Sequence, residues 1–241
     1  GLLLTHFHSD HIAEIYEVNL GSWVNGRPAP LKVWGPRGVD EVVSAVNAGY
    51  RQDRIYRVGH HGEDLLQPEL GVLAHETIEP GVVLEDGELK ITAYVGEHPP
   101  IEPAVGYRFD YRGRSVVISG DSNVNENTLK IAEGADLLLH DALSLPTLTA
   151  LSRALEAVGQ TRQSKIVTDV MDYHASTSSL VALGEQSNVA MVAYYHLVPV
   201  PPNAILKTIF MRGAPDNFVL TEDLMWFELP AHSDEIVVHR P

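Results

Sequence analysis

The stretch Thr5-His6-Phe7-His8-Ser9-Asp10-His11 limits the fold of this chain more than any other. Three histidines and an aspartate fall within six residues, directly after the apolar run Leu2-Leu3-Leu4. That run is too short for a helix and reads as a buried strand ending at His6. Residues two apart in an extended segment point the same way, so His6 and His8 share a face. The residues Ile12-Ala13-Glu14-Ile15-Tyr16 then predict a helix, with Asp10 and His11 at its first turn and aimed at a second point nearby. One strand-to-helix corner thus offers two metal positions, with imidazole and carboxylate ligands suited to Zn, Fe or Mn. A lone histidine at such a place is usually a surface or hydrogen-bonded core residue; four ligand-type residues together are not explained that way.

The rest of the chain alternates short apolar strands with helices. Leu31-Lys32-Val33-Trp34 reads as a strand stopped by Gly35-Pro36. Val39, Val42, Val43 and Val46 repeat at helical spacing up to Gly49. Residues 50–80 read as irregular, with His60-His61 lining a pocket or lying on the surface, and His75 on the surface. Two hairpins follow, one turning at Asp86-Gly87 and one at Arg112-Gly113-Arg114. A helix is expected around Leu129–Ala132, a strand at Leu137–Leu139, and a helix from Leu148 to Val158. Ser176 or Thr177 caps another helix. A strand over Val189–Tyr195, a helix over Ile205–Phe210 and three short strands complete the chain. No repeat or linker interrupts it, so its 241 residues predict one domain, 1–241, of α/β class.

His6, His98, Asp121, His140 and His196 each read as lying at or just past the C-terminal end of an apolar strand. Strand ends on one sheet edge converge in space, and ligand sites in sheet proteins favour such edges. Any one of these residues alone is an ordinary polar residue after a strand; five of them beside a ready-made ligand corner point to a single site.

His-x-His-x-Asp-His after an apolar strand resembles the signature of the metallo-β-lactamase superfamily. The later landmarks follow in the same order: lone His98, a strand ending in Gly120-Asp121, and His196 after a strand. The resemblance implies an αββα four-layer sandwich holding two divalent ions, zinc first, with Mn2+ or Fe as alternatives. It assigns His6, His8 and His98 to one ion and Asp10, His11 and His196 to the other, with Asp121 bridging. His140 matches no ligand position; with Asp141 it is expected behind the ligands, orienting them. The superfamily places several strands before its first motif, so the resemblance also implies that N-terminal strands are missing from this sequence, along with any signal peptide. It implies a homodimer as well.

Tyr173-His174-Ala175-Ser176, with Gly106-Tyr107-Arg108 and Ile118-Ser119-Gly120-Asp121-Ser122, resembles the ribonuclease Z and arylsulfatase-like branch. The implied chemistry is hydrolysis of a phosphodiester, with sulfate esters as the alternative. Transfer-RNA processing, lactone or β-lactam hydrolysis and di-iron redox chemistry stand further back. Two ions acidify a shared, metal-bridged water into hydroxide and stabilise charge on the ester oxygens. Asp10 orients that water or takes its proton, and His174 is the general acid towards the leaving oxygen. Ribonuclease Z enzymes of the common bacterial type carry a protruding RNA-binding arm between the lone His and the bridging Asp. Here the 22 residues from 99 to 120 are consumed by a hairpin.

Charge bears on the substrate. The formal net charge is −15, from 32 acidic against 17 basic residues. Nucleic-acid binders usually show a basic stripe, so the acidity disfavours nucleic acid and favours a small anionic ester. Arg51, Arg54 and Arg57 read as a solvated face. No run approaches the length of a membrane-spanning helix. The absence of cysteine rules out disulfides and thiolate ligands, fits a cytosolic protein and does not exclude the periplasm.

Overall fold

In the computed structural model, which describes residues Gly1–Pro241, the apolar run before the histidines forms a short strand, β1 (Leu2–Leu3). The chain divides into two compact units, Gly1–Glu79 and Pro80–Pro241. In the first, β1 is followed by helices α1 (Ser9–Ile12) and α2 (Ile15–Val24), then β2 (Leu31–Gly35), α3 (Val39–Gly49), α4 (Arg51–His61) and β3 (Leu73–Thr77). The sheet order is β1-β2-β3, and both pairings are parallel. Parallel neighbours cannot be joined by a tight turn, so helices make both crossovers. Along β2 the residues Leu31, Val33 and Gly35 are buried while Lys32 and Trp34 are not, and Val33 meets Leu4, Ile15, Val39, Val43 and Leu73 in one core. Trp23 is buried, with its Nε1 donating to the Gln67 carbonyl at 3.0 Å.

Residues 50–80 are more regular than their sequence reads, since they contain α4 and β3. No residue of α4 is buried, so it lacks the apolar stripe by which a helix is recognised. Polar and aromatic contacts fix it instead. The Tyr16 hydroxyl donates to Asp53 at 2.5 Å, Arg57 pairs with the same carboxylate at 2.7 Å, and Tyr16 stacks on Tyr50 with ring centroids 3.6 Å apart. Burial and the Asp53 charge push the Tyr16 hydroxyl well above the ordinary tyrosine range.

The second unit is built on seven strands: β4 (Gly81–Asp86), β5 (Leu89–Val95), β6 (Val105–Tyr111), β7 (Arg114–Ile118), β8 (Leu137–Leu143), β9 (Met191–Val198) and β10 (Phe218–Leu220), in the order β10-β9-β8-β7-β6-β5-β4. β4 to β7 are antiparallel neighbours. The β6–β7 turn places Arg112 at φ +49 and Gly113 at φ +77, the left-handed pair that a two-residue hairpin demands. From β7 to β10 the pairing is parallel. The crossovers carry α5 (Glu126–Ala132), α6 (Leu145–Ala157), α7 (Thr161–Asp169), α8 (Thr177–Ser187) and α9 (Ala204–Phe210). Leu137 and Leu138, adjacent on β8, are both buried, as expected of a parallel strand covered on both faces. Around Leu138 pack Val117, Leu180, Leu183, Val192, Tyr194 and Phe210; each such side chain contributes roughly 1.5–3 kcal/mol by leaving water.

Two strands run further than the sequence suggests. β8 continues through His140 and Asp141 to Leu143, and β9 continues through His196 to Val198. Neither residue sits at a strand end, because both strands are paired along one another past those positions. An antiparallel ribbon, β11 (Trp226–Glu228) with β12 (Val237–His239), closes the chain. The buried Arg114 guanidinium pins the segment between them through the Pro230, Ser233 and Glu235 carbonyls, and pairs with Asp136 at 3.0 Å. No helix is long and apolar enough to cross a membrane.

Gly106 is a packing requirement of this sheet. It lies opposite Tyr94 on the neighbouring strand, and a Cβ there would run into the buried Tyr94 ring. Gly106→Ala is expected to lower stability by about 1–3 kcal/mol, read as a reduced urea midpoint with an unchanged slope. An unchanged midpoint would show that the ring has room to move.

Candidate metal centre

Within Gly1–Glu79 the ligand corner grows out of β1. The Leu4 amide donates to the Trp34 carbonyl at 2.8 Å, which carries the extended backbone to the histidines. His6 is fully buried, and its Nε2 lies 3.1 Å from His8 Nδ1. The two side chains do share a face, as their spacing requires. Thr5 Oγ1 lies 3.1 Å from the other ring nitrogen of His6, the kind of contact that fixes a ligand's tautomer. His8 is the extended residue that starts α1, with φ −62 and ψ 150. The helix therefore begins at Ser9, earlier than its apolar residues suggest, and Asp10 and His11 fall in its first turn. Asp10 Oδ2 is 3.5 Å from His11 Nε2, and the His6 and His11 ring centroids are 4.1 Å apart. The ligand atoms of His6 and His8 lie within 4.8 Å of each other, as do those of Asp10 and His11.

Within Pro80–Pro241 three further donors are set by different devices. His98, just past β5, is 2 % exposed, and its Nδ1 lies 2.9 Å from the Tyr173 carbonyl. A carbonyl only accepts, so Nδ1 carries the proton and Nε2 keeps the lone pair that a metal ligand needs. Asp121 follows β7 after a turn at Gly120 (φ +66) and is 3 % exposed. His196 is the extra residue of a bulge: Asp141 pairs with Tyr195 and Ala142 with Leu197, which leaves His196 between them at φ +44. Bulges re-aim side chains, at a backbone cost of about 1–3 kcal/mol for a non-glycine residue in that region. The Asp121 ligand atom lies within 4.8 Å of those of both His98 and His196; His196 Nε2 is 3.5 Å from Asp121 Oδ1.

Asp141 stands behind this group and is fully buried. It accepts His174 Nδ1 at 2.8 Å, His140 Nδ1 at 2.9 Å, the Ser122 amide at 3.1 Å and the Ala175 amide at 3.3 Å. Burial alone would push its carboxyl up, but the bonds from His140 and His174 outweigh burial and hold it below the ordinary carboxylate range. His174, with Nδ1 so engaged, places Nε2 3.9 Å from Asp121 Oδ2, and its ring lies 5.4 Å from His98 and 5.5 Å from His196. Burial, then the Asp141 and Asp121 charges, raise the Tyr195 hydroxyl.

The candidate ligands His6, His8, Asp10 and His11 lie together in the first unit and His98, Asp121 and His196 in the second, with His140, Asp141 and His174 beside the donors of the second. His60 and His61 do not; they are exposed at the end of α4. Two contributors escape sequence reasoning. The Tyr173 carbonyl that orients His98 leaves no trace in residue type. Ser122, whose hydroxyl accepts the Glu97 amide at 2.8 Å and ties the His98 segment to the Asp121 turn, is signalled only by its place after Gly120-Asp121.

Residues 1–169 match the family model of the beta-lactamase superfamily domain. The chain belongs to the metallo-β-lactamase superfamily. A ribonuclease Z of Mycobacterium bovis is 33% identical over 201 residues, which cover 82% of this chain and 67% of that protein. Among solved structures, human tRNase Z, short form, matches with a TM-score of 0.53 at 17% identity, over 92% of this chain and 76% of that one. A diphosphatase from the PhnP family matches with a TM-score of 0.57 at 14% identity, over 92% and 68%. These structures share the metallo-β-lactamase fold with this chain, in keeping with its mixed sheet and helices. The donor set fits a divalent ion of the zinc, manganese or iron class: imidazoles and carboxylates, with the His98 lone pair fixed outward by its backbone contact.

In this metallo-β-lactamase chain Asp141 is a buried carboxylate whose bonds bear on stability. Its folded-state pKa is depressed, so its contribution to stability is complete above the ordinary carboxylate range near about pH 4 and is lost as pH falls below it. Asp141→Asn, which replaces an accepting oxygen with an amide N–H donor facing buried donors, is expected to cost about 3–5 kcal/mol near neutral pH and to flatten the acid limb of stability. Urea unfolding between pH 3 and pH 7 reads both; an unchanged acid limb would contradict the assignment.

Proposed function

We propose that this chain is a metal-dependent phosphodiesterase, a single metallo-β-lactamase-like domain that holds two divalent ions, zinc first among them. By the order of motifs His6, His8 and His98 would hold one ion and Asp10, His11 and His196 the other, with Asp121 bridging them. The observation that carries this reading is Asp121, a buried carboxylate within ligand distance of both His98 and His196. The order of motifs assigns it the bridging position. The bound ions would acidify a water and stabilise charge on the phosphate oxygens.

The protein's own groups supply the rest. Asp10, in the first turn of α1, orients the attacking water and takes up its proton. His174 serves as general acid: its Nδ1 is held by Asp141 at 2.8 Å, which leaves Nε2 to carry a proton to the leaving oxygen. Asp141 fixes the ring and stabilises its imidazolium form, as a buried carboxylate behind a catalytic imidazole does.

The name of the Mycobacterium bovis relative supports an RNA phosphodiester as the substrate class. The overall acidity argues the other way, but net charge constrains solubility and long-range steering more than the lining of one cleft. No side chain of the site separates phosphate from sulfate, so a sulfate ester serves as the control.

Zinc-loaded protein is expected to hydrolyse bis(p-nitrophenyl) phosphate in preference to p-nitrophenyl sulfate. Asp121→Ala is expected to abolish the activity, and His174→Ala to lower kcat by about 100- to 10,000-fold on a poor leaving group, with a smaller loss on p-nitrophenolate. Turnover of the sulfate alone, or Asp121→Ala with wild-type activity, would sink the proposal.

A further inference from the structure

Two cavities lie side by side in Pro80–Pro241. The inner one, of about 610 Å3, is bounded by His196, Leu197, Val200, Pro201 and Thr221. The outer one, of about 500 Å3, is bounded by Met211, Arg212, Phe218 and Arg240. Lys207, Leu220 and Glu222 line both and form their common wall. Across that wall the Lys207 ammonium meets the Glu222 carboxylate at 2.8 Å, with both side chains partly exposed.

The outer cavity gathers three cations, Lys207, Arg212 and Arg240, against one carboxylate. In a chain of net charge −15 that is a local inversion of sign. The cations come from three separate segments. Lys207 lies on α9, whose first turn Asn203 caps by accepting the Leu206 amide at 3.1 Å. Arg212 follows the helix, and Arg240 follows β12. The fold, rather than a run in the sequence, brings them together. The inner cavity differs: Leu197, Val200, Pro201 and Leu220 give it an apolar wall, and Val200 is 75 % exposed. The inner cavity combines a proposed metal ligand, His196, with that apolar wall and the Asp223 carboxylate, and the cavity that shares Lys207 with it carries the two arginines. That combination suits a phosphodiester chain, with a base against the apolar wall and a phosphate among the cations.

We propose that this groove is an anion subsite gripping a second phosphate of an extended phosphodiester substrate, beyond the bond cleaved near His196, with Glu222 occupying Lys207 until that phosphate arrives. The inference rests on the phosphodiesterase reading and names how that site selects a chain over a small ester. Arg212 and Arg240 offer forked donors matched to phosphate oxygens. Glu222 returns to water when displaced, and an exposed ion pair gives up little on breaking.

The test compares the wild type, R212Q/R240Q and E222Q by fluorescence anisotropy of a labelled single-stranded oligoribonucleotide at several salt concentrations. It adds the ratio of kcat/KM on that oligonucleotide to kcat/KM on bis(p-nitrophenyl) phosphate. R212Q/R240Q is expected to weaken oligonucleotide binding about tenfold at low salt and to make the log–log salt slope shallower by about 0.7, the value for one phosphate contact on a single strand. The kcat/KM ratio falls with it. E222Q tightens binding, because Lys207 no longer has a competing partner. Variants that bind the oligonucleotide like the wild type, or E222Q that weakens it, overturn the proposal. Pyrophosphate that displaces the oligonucleotide at far lower concentration than expected of one anion would assign the groove to a small diphosphate and also overturn it. A wild type that binds through these arginines yet hydrolyses neither ester would instead refute the phosphodiesterase reading and leave the anion subsite standing.

Discussion

Taking a carboxylate out of water costs several kcal/mol unless donors meet it, and Asp141 meets that demand with four of them. Its bonds to His140, His174, Ser122 and Ala175 join β8 to two loops of the second unit. The Ser122 contact fixes the turn beside Asp121, and the His174 contact aims an imidazole towards the same carboxylate. Because β8 is central in the seven-stranded sheet and runs on through Asp141 to Leu143, the anchor sits on rigid backbone rather than on a loop. The neighbouring strand yields instead. β9 bulges at His196 and so turns a side chain that regular pairing would have aimed elsewhere.

Much of this was legible in the sequence, because metal ligation is a local chemical signal. Thr5–His11 placed four donors on one corner before any tertiary contact was known, and the resemblance to the metallo-β-lactamase superfamily supplied the order of the rest. The hairpins at Asp86-Gly87 and Arg112-Gly113 were legible because turn chemistry is local too. What stayed hidden depends on partners distant in the chain. α4 and α7 carry little or no buried apolar stripe, so periodicity passes them by; α4 is fixed by Asp53 and by stacking of Tyr16 on Tyr50. The lengths of β8 and β9 follow from pairing with each other, which residue type does not reveal. The bulge at His196 arises from a register shift between two strands and has no sequence signature at all.

Composition leaves one feature of the fold unseen. An excess of acidic residues speaks to the whole surface, whereas a substrate meets one groove. Lys207, Arg212 and Arg240 are scattered over 34 positions of the sequence, from 207 to 240, and line one cavity only after α9 and β12 are in place. Charge patterning along the chain therefore shows no cluster where the fold makes one.

The proposal stands on two metal ions per chain, one held through His8 and the other through His196. Metal content per chain, measured by inductively coupled plasma mass spectrometry after loading with zinc and exhaustive dialysis, tests it most directly when the wild type is compared with His8→Ala in the first unit and His196→Ala in the second. The account predicts two zinc ions per chain in the wild type. It predicts retention of one in each variant, because each change damages a different ion's ligand set. One ion or none in the wild type, or a full complement in both variants, would contradict it.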